Sequence, residues 1–152
     1  MEFLKATKND LEAIYELNIL LAKSESSYNR NINSSIPRDE FLKQYSEKFD
    51  KDMCNMIIAK EGDTIIGYIF GWIEETNYLN SHKDRGFIGE CYVLDEHRGK
   101  NIGTELFENI SIWFKENKVD NATVEVLSNN SAEEFWRKNG FNKLYVGLSK
   151  SL

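Results

Sequence analysis

The chain has 152 residues, of which 41% are hydrophobic and 29% charged, with a formal net charge of -6. A single soluble domain with its own core is the expectation at this length. The acidic balance argues against a nucleic-acid partner, which needs a basic face, and the longest apolar run, residues 65–73, is too short to span a membrane.

Residues 2–7 read as a first strand. Thr7 and Asp10, three apart, make a capping-box start for a helix, and Leu11, Ile14, Leu17 and Leu21 follow at helical spacing. Residues 24–35 form a polar loop rich in Ser and Asn. Pro37 suits a first helical turn, with Asp39 and Glu40 beside the positive end of the dipole, and that helix runs to about Phe49. Residues 53–60 and 65–73, joined by the turn Glu61-Gly62-Asp63-Thr64, read as a hairpin. Residues 74–85 read as a loop and 86–94 as a strand. Ile102, Leu106, Ile110 and Phe114 mark one face of a helix ending near Asn117. Residues 122–127 alternate as a strand does. Residues 132–139 form a short helix, with Gly140 at its left-handed cap, and residues 143–149 close the chain as a strand. The order is that of a mixed α/β domain, and its β-α-β step makes strands 86–94 and 122–127 parallel.

Cys54 and Cys91 sit in apolar runs and read as reduced core thiols. With His82 and His97 they give no ligand spacing, so no metal is expected; His97 reads as a surface residue. The N-terminus lacks the charged and apolar regions of a secretory signal, which makes the cytoplasm the expected compartment.

The stretch with chemical content is DEHRGKNIGTEL, residues 95–106. A strand ends before it and a helix begins within it, so several backbone N–H groups converge where the helix dipole is positive and attract phosphate oxygens. Gly99 and Gly103 let the backbone approach an anion, and Arg98 and Lys100 add positive charge. The spacing is neither the dinucleotide pattern nor the Gly-Lys-Ser/Thr loop of nucleoside triphosphatases. On spacing alone, a phosphate site and a tight turn without ligand both stand.

Arg98-Gly99-Lys100-Asn101-Ile102-Gly103 resembles the acyl-CoA pyrophosphate loop of the GCN5-related N-acetyltransferase (GNAT) superfamily, Arg/Gln-x-x-Gly-x-Gly/Ala. Asn101 stands where that pattern has its first glycine, and asparagine tolerates the left-handed conformation. Ala6-Thr7-x-x-Asp10, strand 86–94, Asn129-x-x-Ala132 and Phe135-Trp136-Arg137-Lys138-Asn139-Gly140-Phe141 match the family in the same order. The resemblance covers nearly the whole chain.

The resemblance implies one GNAT domain over residues 1–152, with a mixed sheet splayed between strands at about 86–94 and 121–127 and flanked by helices. It implies acetyl transfer from acetyl-CoA, without metal, to an amine. The implied cofactor contacts are the backbones of Val93 and Leu94, the loop Arg98, Gly99, Lys100, Asn101, Ile102, Gly103 and Thr104, and the side chain of Asn129, which reads equally as a turn or cap residue. The Val93 N–H is the expected donor to the thioester oxygen. Glu90, the carboxylate within IGECYV, is the expected base. The family's usual tyrosine acid is replaced by Trp136, whose indole is no useful acid and which instead packs in the core or against the cofactor. Tyr92 is the expected catalytic tyrosine, with Tyr145 as its alternative. Glu25, Glu74 and Glu75 with Tyr28, Trp72 and Tyr78 are candidates for an acceptor pocket, and a small cationic amine, aminoglycoside- or polyamine-like, is the expected substrate. Acetylation of a protein N-terminus or lysine, and an acyl-CoA sensor without turnover, are the alternatives. Strand 143–149 offers an edge for a homodimer.

Overall fold

Capping chemistry starts the first helix. The Thr7 N–H and hydroxyl both donate to Asp10 Oδ2 at 2.8 Å, which forms the expected capping box. After a 3-10 turn, α1 (Leu11–Ser26) begins. In this computed structural model, which describes residues 1–29, 31–75, 84–150 and 152, α1 runs past the expected loop boundary at residue 24. The Ser26 and Ser27 hydroxyls donate to the carbonyls of Lys23 and Ser24 at 2.8 and 2.6 Å, so serines are accommodated at the helix end. Helix α2 (Arg38–Phe49) starts one residue after Pro37, whose carbonyl accepts the Phe41 N–H at 3.0 Å.

Strands β1 (Glu2–Lys5), β2 (Cys54–Glu61), β3 (Thr64–Glu75), β4 (Asp84–Val93) and β5 (Ala122–Val124) form one sheet in sequence order. Every neighbouring pair is antiparallel except β4 and β5, which are parallel. Helices α3 (Ile102–Glu116) and α4 (Ala132–Lys138) bracket β5 in the chain. This is the expected mixed α/β fold.

Three expectations need correction. The β3–β4 ladder continues to Glu74↔Arg85 and Glu75↔Asp84, beyond the apolar run, because Glu74 and Arg85 pair across the strands at 2.8 Å. Tyr78 and His82 lie outside the described residues. Strand β5 stops at Val124, short of residue 127. The closing strand at 143–149 is absent: Leu144, Val146 and Leu148 are 71%, 73% and 95% exposed. Alternation gives that segment one apolar face, but a strand also needs a neighbour, and the Tyr145 hydroxyl instead donates to Glu125, one residue past β5, at 2.6 Å.

The sheet carries a core on each face. Ile69, Ile88, Leu106, Ile110 and Phe114 pack under α3 and α4. Ile14, Leu17, Phe41, Tyr45, Tyr68 and Phe70 pack under α1 and α2. Each fully buried side chain of this size contributes about 1.5–3 kcal/mol. Among the described residues, no helix is long and apolar enough to cross a membrane.

Candidate active site

The site begins with a break in the sheet. Phe70 pairs with Glu90, but its neighbour Gly71 pairs with Ile88, so Gly89 is an extra residue in β4. This is a β-bulge, and it resets which way the following side chains point. Gly89 and Glu90 face the same side: a Cβ on Gly89 would stand 2.4 Å from the Trp72 ring, and Glu90 reaches residues of α1, α2 and β3. Just before the bulge the pairing with β5 ends, Ile88↔Val124 being its last pair. The two strands have parted, as expected.

The bulge also fixes the backbone groups. The Leu94 N–H donates to the Ile66 carbonyl at 2.9 Å. Antiparallel strands alternate hydrogen-bonded and non-bonded pairs, so the peptide groups of Cys91 and Val93 point away from β3, into the gap. The Val93 carbonyl already accepts Arg98 Nε at 3.0 Å. The Val93 and Cys91 N–H groups are the donors aimed at the opening. Leu94 turns its N–H to β3, and its carbonyl accepts the His97 N–H at 2.9 Å. The cofactor contact expected of Leu94 has only the second lone pair of that carbonyl to use.

A groove of about 1410 Å³ opens on the β5 side of the gap, with Trp72, Phe87, Gly89, Val126, Trp136 and Tyr145 among its lining residues; Glu90, Cys91, Val93 and the loop 98–104 border it without lining it. At the end of β4 stands the loop. Asn101 has φ 65° and caps α3 in the left-handed conformation, as its residue type allows. The first helical bond closed by the loop is Glu105 N–H to the Asn101 carbonyl at 3.1 Å, so the N–H groups from Asn101 to Thr104, including those of Ile102 and Gly103, precede the ladder. Gly99 is required by its φ of 76°, and a Cβ on it would meet nothing within 4 Å. A Cβ on Gly103 would stand 3.0 Å from the Phe135 ring. That glycine lets α4 approach α3, a packing role not visible in the motif. Lys100 is exposed. Arg98 folds back on Val93, pairs with Asp95 at 2.9 Å and lies 5.3 Å over the Tyr92 ring.

Glu90 sits in a cradle from three elements. Its Oε2 accepts the Tyr68 hydroxyl at 2.8 Å and Asn18 Nδ2 at 3.0 Å, and its Oε1 accepts the Tyr45 hydroxyl. Burial, followed by the charge of Glu90, pushes the Tyr45 and Tyr68 hydroxyls well above the usual tyrosine range. They are neutral donors at any ordinary pH. A carboxylate has about four acceptor sites, so one remains for a ligand N–H. Asn18, Tyr45 and Tyr68 were not singled out in the sequence. Asn18 had a signal, a polar residue inside the apolar stripe of α1.

The remaining candidates divide. Tyr92 is buried on the Glu90 face, where burial, then Asp95, raises its hydroxyl; it does not line the groove, and Tyr145 does. Trp136 is 6% exposed and packs edge-on against Phe107, Phe135 and Phe141, so it is a core residue with a place in the groove wall. Asn129 is left-handed at φ 66° and exposed; the cap of α4 is Ser131, and the Oδ1 of Asn130 before it accepts the Ala132 N–H at 2.9 Å. His97 is not a surface residue: its side chain is 15% exposed, and Nδ1 lies 3.9 Å from Glu61. Glu74 is committed to Arg85 and to Trp72 Nε1. Burial raises its carboxyl, but those hydrogen bonds outweigh burial and the net shift is downward.

Comparison with known proteins gives the same picture. The acetyltransferase (GNAT) family model matches residues 18–141. No curated protein matches the chain. Among solved structures, a tetramutant of the BH1408 protein from Bacillus halodurans superposes with a TM-score of 0.88 at 18% identity, covering 100% of both chains. The aminoglycoside 6'-N-acetyltransferase AAC(6')-IG from Acinetobacter haemolyticus gives 0.77 at 19% identity over 100% of this chain and 99% of that one. A predicted acetyltransferase from Clostridium acetobutylicum, solved with acetyl-CoA, gives 0.74 at 18% identity over 99% and 95%. At such identities the likeness is one of fold.

Proposed function

The chain belongs to the acetyltransferase (GNAT) family, and from that premise we propose that it transfers an acetyl group from acetyl-CoA to the primary amine of a small cationic molecule. The observation that carries this reading is the parting of β4 and β5 at the Gly89 bulge, beside a carboxylate that retains one acceptor site. The residues present fit acetyl-CoA. The N–H groups from Asn101 to Thr104 would hold the pyrophosphate, with Arg98, Gly99 and Lys100 in the same loop, and Asn129 would face the cofactor arm. Cys91 and Val93 would hold the pantetheine arm and thioester through the gap. Acetyl-CoA supplies an acetyl group on a good leaving group, and the rest is done by side chains and peptide groups.

A free alkylammonium has a pKa near 10.4 and does not attack while charged. Glu90 accepts the acceptor nitrogen's proton, directly or through water, with Asn18, Tyr45 and Tyr68 fixing its direction. The nitrogen lone pair then forms the C–N bond, the C–S bond breaks, and the nitrogen gives up its second proton to solvent or to the departing sulfur. A peptide N–H of Val93 or Cys91 donates to the carbonyl oxygen as it gains charge. The sulfur leaves as thiolate, or takes a proton from Tyr145, which lines the groove where Tyr92 does not. Holding both substrates along one groove supplies much of the rate.

The cationic acceptor is supported by the carboxylates and aromatic rings on the Glu90 face, and by neighbours of the same fold named as aminoglycoside acetyltransferases, one of them in complex with sisomicin. The test is release of CoA thiol from acetyl-CoA with a panel of amines and peptides. Release driven by small cationic amines supports the reading. Release driven only by peptides moves the acceptor to protein, and binding of acetyl-CoA without release would make the chain a sensor.

A further inference from the structure

Beside Trp72 and Phe87 the groove lining includes a carboxylate, Glu25, that the reaction above does not use. Among the described residues its side chain makes no hydrogen bond or ion pair, whereas the neighbouring charges Glu74 and Arg85 are spent on each other at 2.8 and 3.0 Å. Glu25 stands seven residues after Asn18 on α1, two turns along the same face. Asn18 is bonded to Glu90 at 3.0 Å. With a rise of 1.5 Å per residue, Glu25 sits on the order of 10 Å along the helix from the Glu90 cradle.

Two half-buried rings stand by that interval. Trp72 stacks on Phe87 at 4.6 Å, both line the groove, and Gly89, the neighbour of Glu90, lies against the Trp72 ring. Ring faces beside a carboxylate suit an alkyl chain that ends in a cation. Burial, and then the charge of Glu90, raises the Glu25 carboxyl. A half-buried anion without a partner is costly, and a bound cation relieves the cost.

Resting on the amine-acetylation reading above, we propose that the acceptor carries a second cationic centre, held between the Glu25 carboxylate and the stacked Trp72 and Phe87 rings. One amine is acetylated at Glu90 while the other, still protonated, anchors the chain at Glu25. The substrate class is therefore diamines and longer polyamines, and Glu25 is the residue that selects them.

The experiment compares straight-chain diamines, from ethylenediamine to octane diamine, with alkyl monoamines of matched length in the CoA-release assay. It uses the wild-type protein, Glu25→Gln and Glu25→Asp, with acetyl-CoA affinity measured by calorimetry on each. The wild type is expected to favour the best diamine over its monoamine by roughly tenfold in kcat/KM, carried by KM. That best diamine is expected to be longer than ethylenediamine. Glu25→Gln is expected to bring the ratio close to one while acetyl-CoA binds as before, and Glu25→Asp to restore part of it. Equal use of monoamines and diamines by the wild type overturns the proposal, as does a ratio that persists in Glu25→Gln. So does binding of acetyl-CoA with no turnover of any diamine. Failure to bind acetyl-CoA removes the acetyl-transfer reading itself, which is a different result.

Discussion

A Cβ placed on Gly89 would stand 2.4 Å from Cζ3 of Trp72. The ring cannot give way easily, since Nε1 donates to Glu74 at 2.9 Å and the ring is stacked on Phe87. Gly89→Ala must shift the bulge or the ring, and overpacking of this kind costs about 1–3 kcal/mol. Urea unfolding measures it. In a Trp72→Leu background the same substitution is expected to cost less, because the two side chains share one space. An equal cost in both backgrounds would contradict the contact.

Glu90→Gln keeps the shape of the side chain but removes the proton acceptor. The expectation is a fall in kcat by roughly 10²–10⁴ with acetyl-CoA affinity intact. Tyr45→Phe and Tyr68→Phe each remove one donor to a charged group, worth about 1.5–3 kcal/mol, and are expected to lower kcat less than Glu90→Gln does. Steady-state kinetics beside calorimetry checks all three. Wild-type kcat in Glu90→Gln would show that the base lies elsewhere.

Glu25 also makes a stability prediction. Burial, and then the charge of Glu90, raises its carboxyl above the usual glutamate range. A raised carboxyl contributes stability that is present below the unfolded value and lost as pH rises through the folded one. Glu25→Gln does not titrate, so the variant is expected to be the more stable at neutral pH, with the difference shrinking in acid. Denaturant midpoints at both pH values test this. A variant less stable than the wild type at neutral pH would contradict it.

Burial pushes the Cys91 thiol up to about 12 and raises Cys54 as well. The thiolate is the reactive form. Native protein at mildly alkaline pH is therefore expected to react slowly with a disulfide reagent, and unfolded protein to titrate both thiols at once. Rapid labelling of the native protein would place Cys91 outside the core.

Periodicity and capping made most of the fold legible. Thr7 and Asp10 marked the first helix, Ile102 to Phe114 marked α3, and Asn101 marked a left-handed residue by standing at a glycine position of the loop pattern. The features that make the site were harder to read. A glycine inside IGECYV signals a bulge in general terms, but which neighbour fills the space over it depends on Trp72, seventeen positions earlier in the chain. The cradle around Glu90 joins Asn18, Tyr45 and Tyr68, and no local pattern encodes contacts between distant elements. The expected strand at 143–149 failed for the converse reason: alternation is local, but pairing requires a partner.

The central claim is that the loop from Arg98 to Thr104 and the gap between β4 and β5 together hold acetyl-CoA. Calorimetric titration of the protein with acetyl-CoA, with ATP as the comparison, tests it most directly. The account predicts saturable one-to-one binding of acetyl-CoA and little or no heat from ATP, because the gap receives a pantetheine arm that ATP lacks. Binding of ATP as tight as that of acetyl-CoA, or no binding of acetyl-CoA, would contradict it.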